Sequence, residues 1–122
     1  MTDSKLVDSS VWLSYLINGN HTNIIETNEI FSLSVLSLFE IKRKFLKYKI
    51  EKDKIIKMIE FVKRRSIVIL LNEKISEKAA EISIEKNLPA IDSLIYSSAL
   101  SNKSKLITLD NDFRGLKDVI LL

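Results

Sequence analysis

Cysteine is absent from the 122 residues, which excludes a disulfide framework, a thiolate metal site and a thiol nucleophile. Glycine occurs twice, at Gly19 and Gly115, and proline once, at Pro89. With so little glycine, no loop can cradle a nucleoside triphosphate through its backbone amides. The single histidine, His21, sits beside Asn20, Thr22 and Asn23 and reads as solvated. No apolar run approaches the roughly 18 residues of a membrane span. The opening Met1-Thr2-Asp3-Ser4-Lys5 lacks the basic-then-apolar order of a signal peptide. A cytoplasmic protein with no membrane contact is the expectation.

What is present is 46% hydrophobic and 29% charged residues, enough for a single domain over residues 1–122 to bury a core unaided. Net charge is only +3, but it is unevenly placed. Residues 42–65 hold eleven basic and three acidic side chains, a balance of +8, and the remainder balances at −5. One region therefore suits a polyanion, with Arg43, Lys57, Arg64 and Arg65 as candidate RNA contacts, and another suits a cationic partner. A merely solvated helix face is the alternative.

Short apolar runs alternate with helical periodicity. Strands are expected at 5–7, 29–34, 66–71, 105–109 and 119–122. Helices are expected at 11–17, 21–28, from Ser34 or Ser37 to about 48, from 51 or 52 to 65, from Asn72 to 86, and 90–102. Asn18-Gly19-Asn20 stops the first helix, and Asp8, Ser9 and Asn72 are helix caps by type. Strands separated by helices imply parallel pairing. Residues 90–102 carry one charge, which marks a central, buried helix.

That one charge is Asp92, on a face with Ile95, Tyr96 and Ala99. A carboxylate there is costly unless paired or metal-bound, and this outweighs the roughly 0.3–1 kcal/mol that a first-turn acid gains from the helix dipole. Asp8 and Asp110 each follow a strand, where open α/β sheets place their ligand crevice. Alone, each reads as a cap; together, they mark one sheet edge. Glu40 alone reads as a surface partner of Lys44, and Asp112 as either a further ligand or a turn residue returning Phe113 to the core. Converging carboxylates raise one another's pKa values unless a hard divalent cation fills the site, and all-oxygen ligation suits Mg²⁺ or Mn²⁺. Such a site activates water against a phosphodiester.

The order Leu6-Val7-Asp8-Ser9-Ser10, Ser37-Leu38-Phe39-Glu40, Ala90-Ile91-Asp92-Ser93-Leu94-Ile95 and Ile107-Thr108-Leu109-Asp110-Asn111-Asp112-Phe113 resembles the PIN-domain family. The likeness is to the VapC-type toxin ribonucleases in particular, and it spans the chain from Leu6 to the last strand. It implies a PIN-like three-layer α/β sandwich with a central parallel sheet of about five strands flanked by helices. Asp8, Glu40, Asp92 and Asp110 are then the catalytic acids around one or two Mg²⁺ or Mn²⁺ ions. Asp112 is a further candidate ligand, ranked below Asp110 because the family's regular fourth acid lies in a T-x-D motif. Ser10 and Thr108 match supporting hydroxyls.

The same resemblance implies an endoribonuclease that forms a homodimer and is held inactive by an antitoxin reaching into the acidic pocket. The alternatives are a PIN-type RNA-processing nuclease without an antitoxin, a phospho-acceptor domain lacking its usual strand-end lysine, and a non-catalytic nucleic-acid-binding module. Glu73, Glu77, Glu81 and Glu85 form an acidic stripe at four-residue spacing that none of these readings assigns.

Overall fold

The structure is a computed structural model describing residues 4–122. Met1, Thr2 and Asp3, part of the segment read above as lacking a leader, lie outside the described residues. The chain runs β1 (Ser4–Val7), α1 (Ser9–Asn18), α2 (Thr22–Ile25), β2 (Phe31–Ser34), α3 (Val35–Lys47), α4 (Lys52–Arg64) and β3 (Ser66–Ile69). It continues through α5 (Glu73–Lys86), α6 (Ala90–Ser101), β4 (Ser104–Thr108), a 3₁₀ turn (Asn111–Phe113) and β5 (Val119–Leu121). The five strands form one parallel sheet in the order β3-β2-β1-β4-β5.

Strand alternation divides the core into two halves. Val7 on β1 and Ile107 on β4 point to one face, with Trp12, Phe31, Leu33, Ile41, Phe45, Ile55 and Val62. Leu6 and Leu106 point to the other, with Ile82, Leu88, Ile95, Tyr96, Ala99 and Phe113. Helices α1 to α4 thus cover one side and α5 and α6 the other, which is the three-layer α/β arrangement expected. Trp12 centres the first half, edge-on to Phe31 and Phe61 at 6.1 and 6.2 Å between ring centroids. On α6 the buried Ser93, Ser97 and Ser98 spend their hydroxyls on the carbonyls of Ala90, Ile75 and Leu94, so polar residues sit in a core helix without stranding a donor.

Local chemistry sets most boundaries. Gly19, at φ 71°, takes the left-handed conformation that ends α1, and its amide closes onto Tyr15. Of the two serines offered for α3, Ser34 is the cap, accepting from the Leu36 amide at 3.2 Å. Asn72 caps α5 through the Ile75 amide at 2.8 Å.

Boundaries differ from expectation at several elements. The helix expected at 21–28 is a single turn, Thr22–Ile25, because His21 adopts φ 62° and Glu26 leaves the helical region. Strand β2 begins at Phe31 rather than residue 29, with Glu29 instead held by Lys5 at 3.1 Å. Strand β3 stops at Ile69 and is an edge strand, so Leu70 beyond it is 68% exposed. Strand β4 spans Ser104–Thr108, one residue earlier than expected, with Leu109 just beyond it.

The sheet's direction also sorts the basic block. Strand β3 starts beside Phe31, and the Arg65 carbonyl accepts from the Phe31 amide at 2.9 Å. Arg64 and Arg65 therefore stand at the N-terminal edge of the sheet, across its full width from the strand ends that carry Asp8 and Asp110. The Arg65 guanidinium donates to the carbonyls of Ile25 and Thr27 and lies 5.8 Å from the Phe61 ring centroid, tying α2 to the end of α4. Its charge is engaged in the fold rather than offered to a ligand. Hydrogen bonds involving a charged partner contribute roughly 1.5–3 kcal/mol. Arg65→Ala should therefore cost about that much in chemical denaturation, while exposed Arg64→Ala should stay within about 0.5 kcal/mol of wild type.

Candidate metal and nucleic-acid site

Strands β1 and β4 are neighbours whose chain neighbours lie on opposite sides, with β2 and β3 to one side and β5 to the other. This is the topological switch point of the sheet, and ligands of open α/β sheets bind beyond the carboxyl ends of the strands there. Asp8 extends β1 by one residue, its amide donating to the Ile107 carbonyl at 2.9 Å. Strand parity puts it on the side of Leu6, the α6 face.

Asp8 is only 5% exposed and is held by two hydroxyls. Its Oδ2 accepts from Ser10 Oγ and from Thr108 Oγ1, both at 2.8 Å. Each hydroxyl is itself fixed by a backbone donor: the Leu109 amide donates to Ser10 at 3.0 Å and the Asp110 amide to Thr108 at 3.0 Å. A hydroxyl that accepts an amide has its one hydrogen free for the carboxylate. The backbone after β4 therefore orients Asp8 through two side chains.

Asp110 also shapes the turn that follows. Its Oδ1 accepts from the Asp112 amide at 2.9 Å, opening the 3₁₀ turn, and fully buried Phe113 anchors that turn in the core. This folds Asp112 back toward α6. One carboxylate oxygen each from Asp92, Asp110 and Asp112 lie within 4.8 Å of one another. Asp92 sits in the first turn of α6, half-buried, above the buried Ile95, Tyr96 and Ala99. Glu40, in the second turn of α3, comes from the opposite face of the sheet. Its Oε1 accepts from Ser9 Oγ at 2.9 Å.

The tight trio thus includes Asp112, ranked lowest from sequence, while Asp8 and Glu40 form a second tier joined to it by field. Ser9 was read only as a cap; the signal for its role was a hydroxyl beside the strand-end acid, which nothing in its spacing connects to Glu40.

Three of these acids, Asp92, Asp8 and Glu40, have their proton affinity raised. The Asp92 carboxyl is pushed up to about 7, first by burial, then by the charge of Asp110, by its contact with Asp112 and by Asp8. Asp8 is raised chiefly by burial, opposed by its hydroxyl donors, with Asp110 adding repulsion. Glu40 is raised by burial and by Asp8 and Asp110, with Ser9 opposing. Oxygen donors alone, crowded and destabilised as anions, fit a hard divalent cation of the Mg²⁺ or Mn²⁺ type.

Of the expected basic contacts, Arg43 lines a cavity with Glu40, Ser9 and Ser10. Lys57 and Arg64 lie exposed on α4, and Arg65 is committed as described. His21 lies at the start of α2 and takes no part.

A raised acid pKa destabilises the fold as pH rises. The folded chain keeps a proton on Asp92 where an unfolded aspartate, at 3.8, has lost it. The stability present below about pH 4 is thus lost as pH rises through about 7. Metal-free wild type should therefore melt at a lower temperature at pH 8 than at pH 5. Asp92→Asn should show a smaller fall, and Mg²⁺ or Mn²⁺ should restore the wild type at about pH 8. A melting temperature equally flat with pH in both proteins would contradict this electrostatic picture.

A family model for the PIN domain matches residues 5–119. No curated protein matches the sequence significantly. Among solved structures, a toxin–antitoxin complex from Klebsiella pneumoniae is similar at 21% identity and TM-score 0.76, covering 96% of both chains. VapBC2 from Rickettsia felis, bound to a DNA fragment from its promoter, is similar at 18% identity and TM-score 0.77, over 97% of this chain and 96% of that one. VapC20 of Mycobacterium tuberculosis, described as a sarcin-ricin-loop-cleaving toxin, is similar at 14% identity and TM-score 0.71, over 93% and 95%. At these identities the structures speak for the fold, and the family model for the sequence: the chain belongs to the PIN-domain family.

Proposed function

We propose that this chain is a Mg²⁺- or Mn²⁺-dependent endoribonuclease and the toxin half of a type II toxin–antitoxin pair, acting as a homodimer. The observation that carries the reading is the meeting of Asp92, Asp110 and Asp112 within 4.8 Å at the switch point of a PIN fold, with Asp8 and Glu40 in the same field. Support for RNA as substrate comes from one neighbour, a sarcin-ricin-loop-cleaving toxin. Support for an antitoxin comes from neighbours described as toxin–antitoxin or VapBC complexes.

In this reading Asp8, Asp92 and Asp110, with Glu40 and Asp112, hold the cation. When bound, a divalent cation supplies activation of water and charge stabilisation at a phosphodiester. The chain's own contribution is positioning. Ser10 and Thr108 aim Asp8 and favour its ionised form against burial, Ser9 holds Glu40 across the pocket, and the Asp112 amide fixes Asp110. Buried α6 supplies the rigid floor from which Asp92 projects. An antitoxin with a cationic segment would neutralise the same carboxylates and block the site.

Purified protein should cut RNA in Mg²⁺ or Mn²⁺ and lose that activity in chelator. Asp8→Asn and Asp92→Asn should abolish cleavage while leaving circular dichroism unchanged. Ser10→Ala, which removes an orienting partner, should weaken activity or metal affinity by roughly 10–100-fold. Acid variants that cut as well as wild type overturn the assignment. Chelator-insensitive cleavage overturns the metal. Cleavage without growth arrest on induced expression leaves an RNA-processing nuclease in place of a toxin.

A further inference from the structure

A hollow between α1 and α3 opens on the Glu40 side of the carboxylates. Its volume is about 460 Å³, and Ser9, Ser10, Phe39, Glu40, Arg43 and Lys44 line it. Ser10 is shared with the carboxylate site, since its hydroxyl donates to Asp8, so the hollow begins one side chain from the candidate metal ligands. Phe39 and Arg43 are one helical turn apart on α3 and so project from the same face. Glu40 and Lys44 form the adjacent row.

One feature of this wall is out of place for a solvated helix, and a free cation stands beside it. Phe39 is 63% exposed although α3 buries Ile41 and Phe45 fully. Arg43 is exposed, and the ion pairs among the described residues, Lys5 with Glu29 and Lys86 with Glu85, do not engage it. The Lys44 ammonium rests 5.6 Å from the Tyr48 ring centroid, which holds a further positive charge at the rim. An exposed aromatic face and an unengaged guanidinium beside the proposed phosphodiester-cleaving centre are the parts that a single-stranded nucleotide engages. Bases stack on aromatic rings with little regard to sequence, and arginine pairs with phosphate through two parallel hydrogen bonds.

We propose that this hollow is a subsite for the single-stranded RNA nucleotide flanking the cleaved bond, Phe39 stacking its base and Arg43 binding its phosphate. The proposal rests on the ribonuclease reading and adds to it a determinant of substrate position. A neighbouring hollow between α3 and α4 also includes Phe39 and Arg43, but its other walls are Leu38, Leu46 and Ile59 with lysine rims. That lining lacks the link to Asp8 through Ser10, so the nucleotide is assigned to the first.

The test measures binding apart from cleavage. Asp92→Asn protein in Mg²⁺ is titrated with labelled single-stranded RNA homopolymers by fluorescence anisotropy, alone and combined with Phe39→Ala, Phe39→Trp or Arg43→Gln. Phe39→Ala should weaken binding roughly ten-fold, and Phe39→Trp should keep it. The new exposed indole should be quenched by RNA, whereas Trp12, fully buried, should not respond. Arg43→Gln should weaken binding and lower the slope of log affinity against log salt by about 1. A single abasic position in the oligonucleotide should weaken binding to the Phe39 protein but not to Phe39→Ala.

Unchanged affinity in Phe39→Ala with an unquenched indole overturns the subsite and gives Phe39 to a protein partner. Absence of RNA binding in every protein overturns it as well. Failure of the ribonuclease reading shows separately, as wild type with Phe39 intact leaving the same oligonucleotides uncut in Mg²⁺ or Mn²⁺.

Discussion

Mutual repulsion among carboxylates at one crevice is the constraint on which this structure turns. Strands β1 and β4 end side by side, and each presents an aspartate to the same edge. Helix α6 adds Asp92 from one face and α3 adds Glu40 from the other. Burial and proximity push the protons of Asp8, Glu40 and Asp92 toward higher pH, so the folded chain holds these groups in a state that water would not favour. Site strain of this kind is stable only when the surroundings over-determine it. Here they do so through hydroxyls: Ser9, Ser10 and Thr108 each hold one acid, and two of the three are fixed in turn by backbone amides.

Much of the frame is legible in the sequence because its signals are local. Apolar runs broken by turn residues locate the strands, the left-handed Gly19 ends α1, and the near-absence of charge in residues 90–102 identifies the central helix. Where pairing partners decide, legibility ends. Residues 66–71 read as one strand because every one of Ile67, Val68, Ile69, Leu70 and Leu71 is apolar, yet the strand ends at Ile69, on the edge of the sheet. Ile30 looks apolar enough to carry β2 back to residue 29, but Glu29 is drawn to Lys5 on the neighbouring strand.

The site divides in the same way. Asp8, Asp92 and Asp110 can be found because strand ends and a buried helix face are sequence features. The placement of Asp112 and Ser9 is not legible, since it comes from a 3₁₀ turn and from a contact 31 residues away in the chain. Charge counting found a basic block in residues 42–65 but could not show that the sheet splits it. Arg43 faces the acids, while Arg64 and Arg65 lie at the opposite edge and Arg65 is absorbed into packing. The acidic stripe of α5 lies on that helix's exposed surface, beside Lys74 and Lys78, and remains outside the site. Fold alone does not determine activity; five acids sharing one field are the chemical ground for the proposed one.

Anomalous diffraction from crystals soaked in Mn²⁺ tests the central claim most directly. A peak is expected within coordination distance of Asp92 and Asp110, near Asp112 and Asp8, and it should vanish in Asp92→Asn. A fully soaked crystal with no density among these carboxylates, or with Mn²⁺ bound only elsewhere, contradicts it.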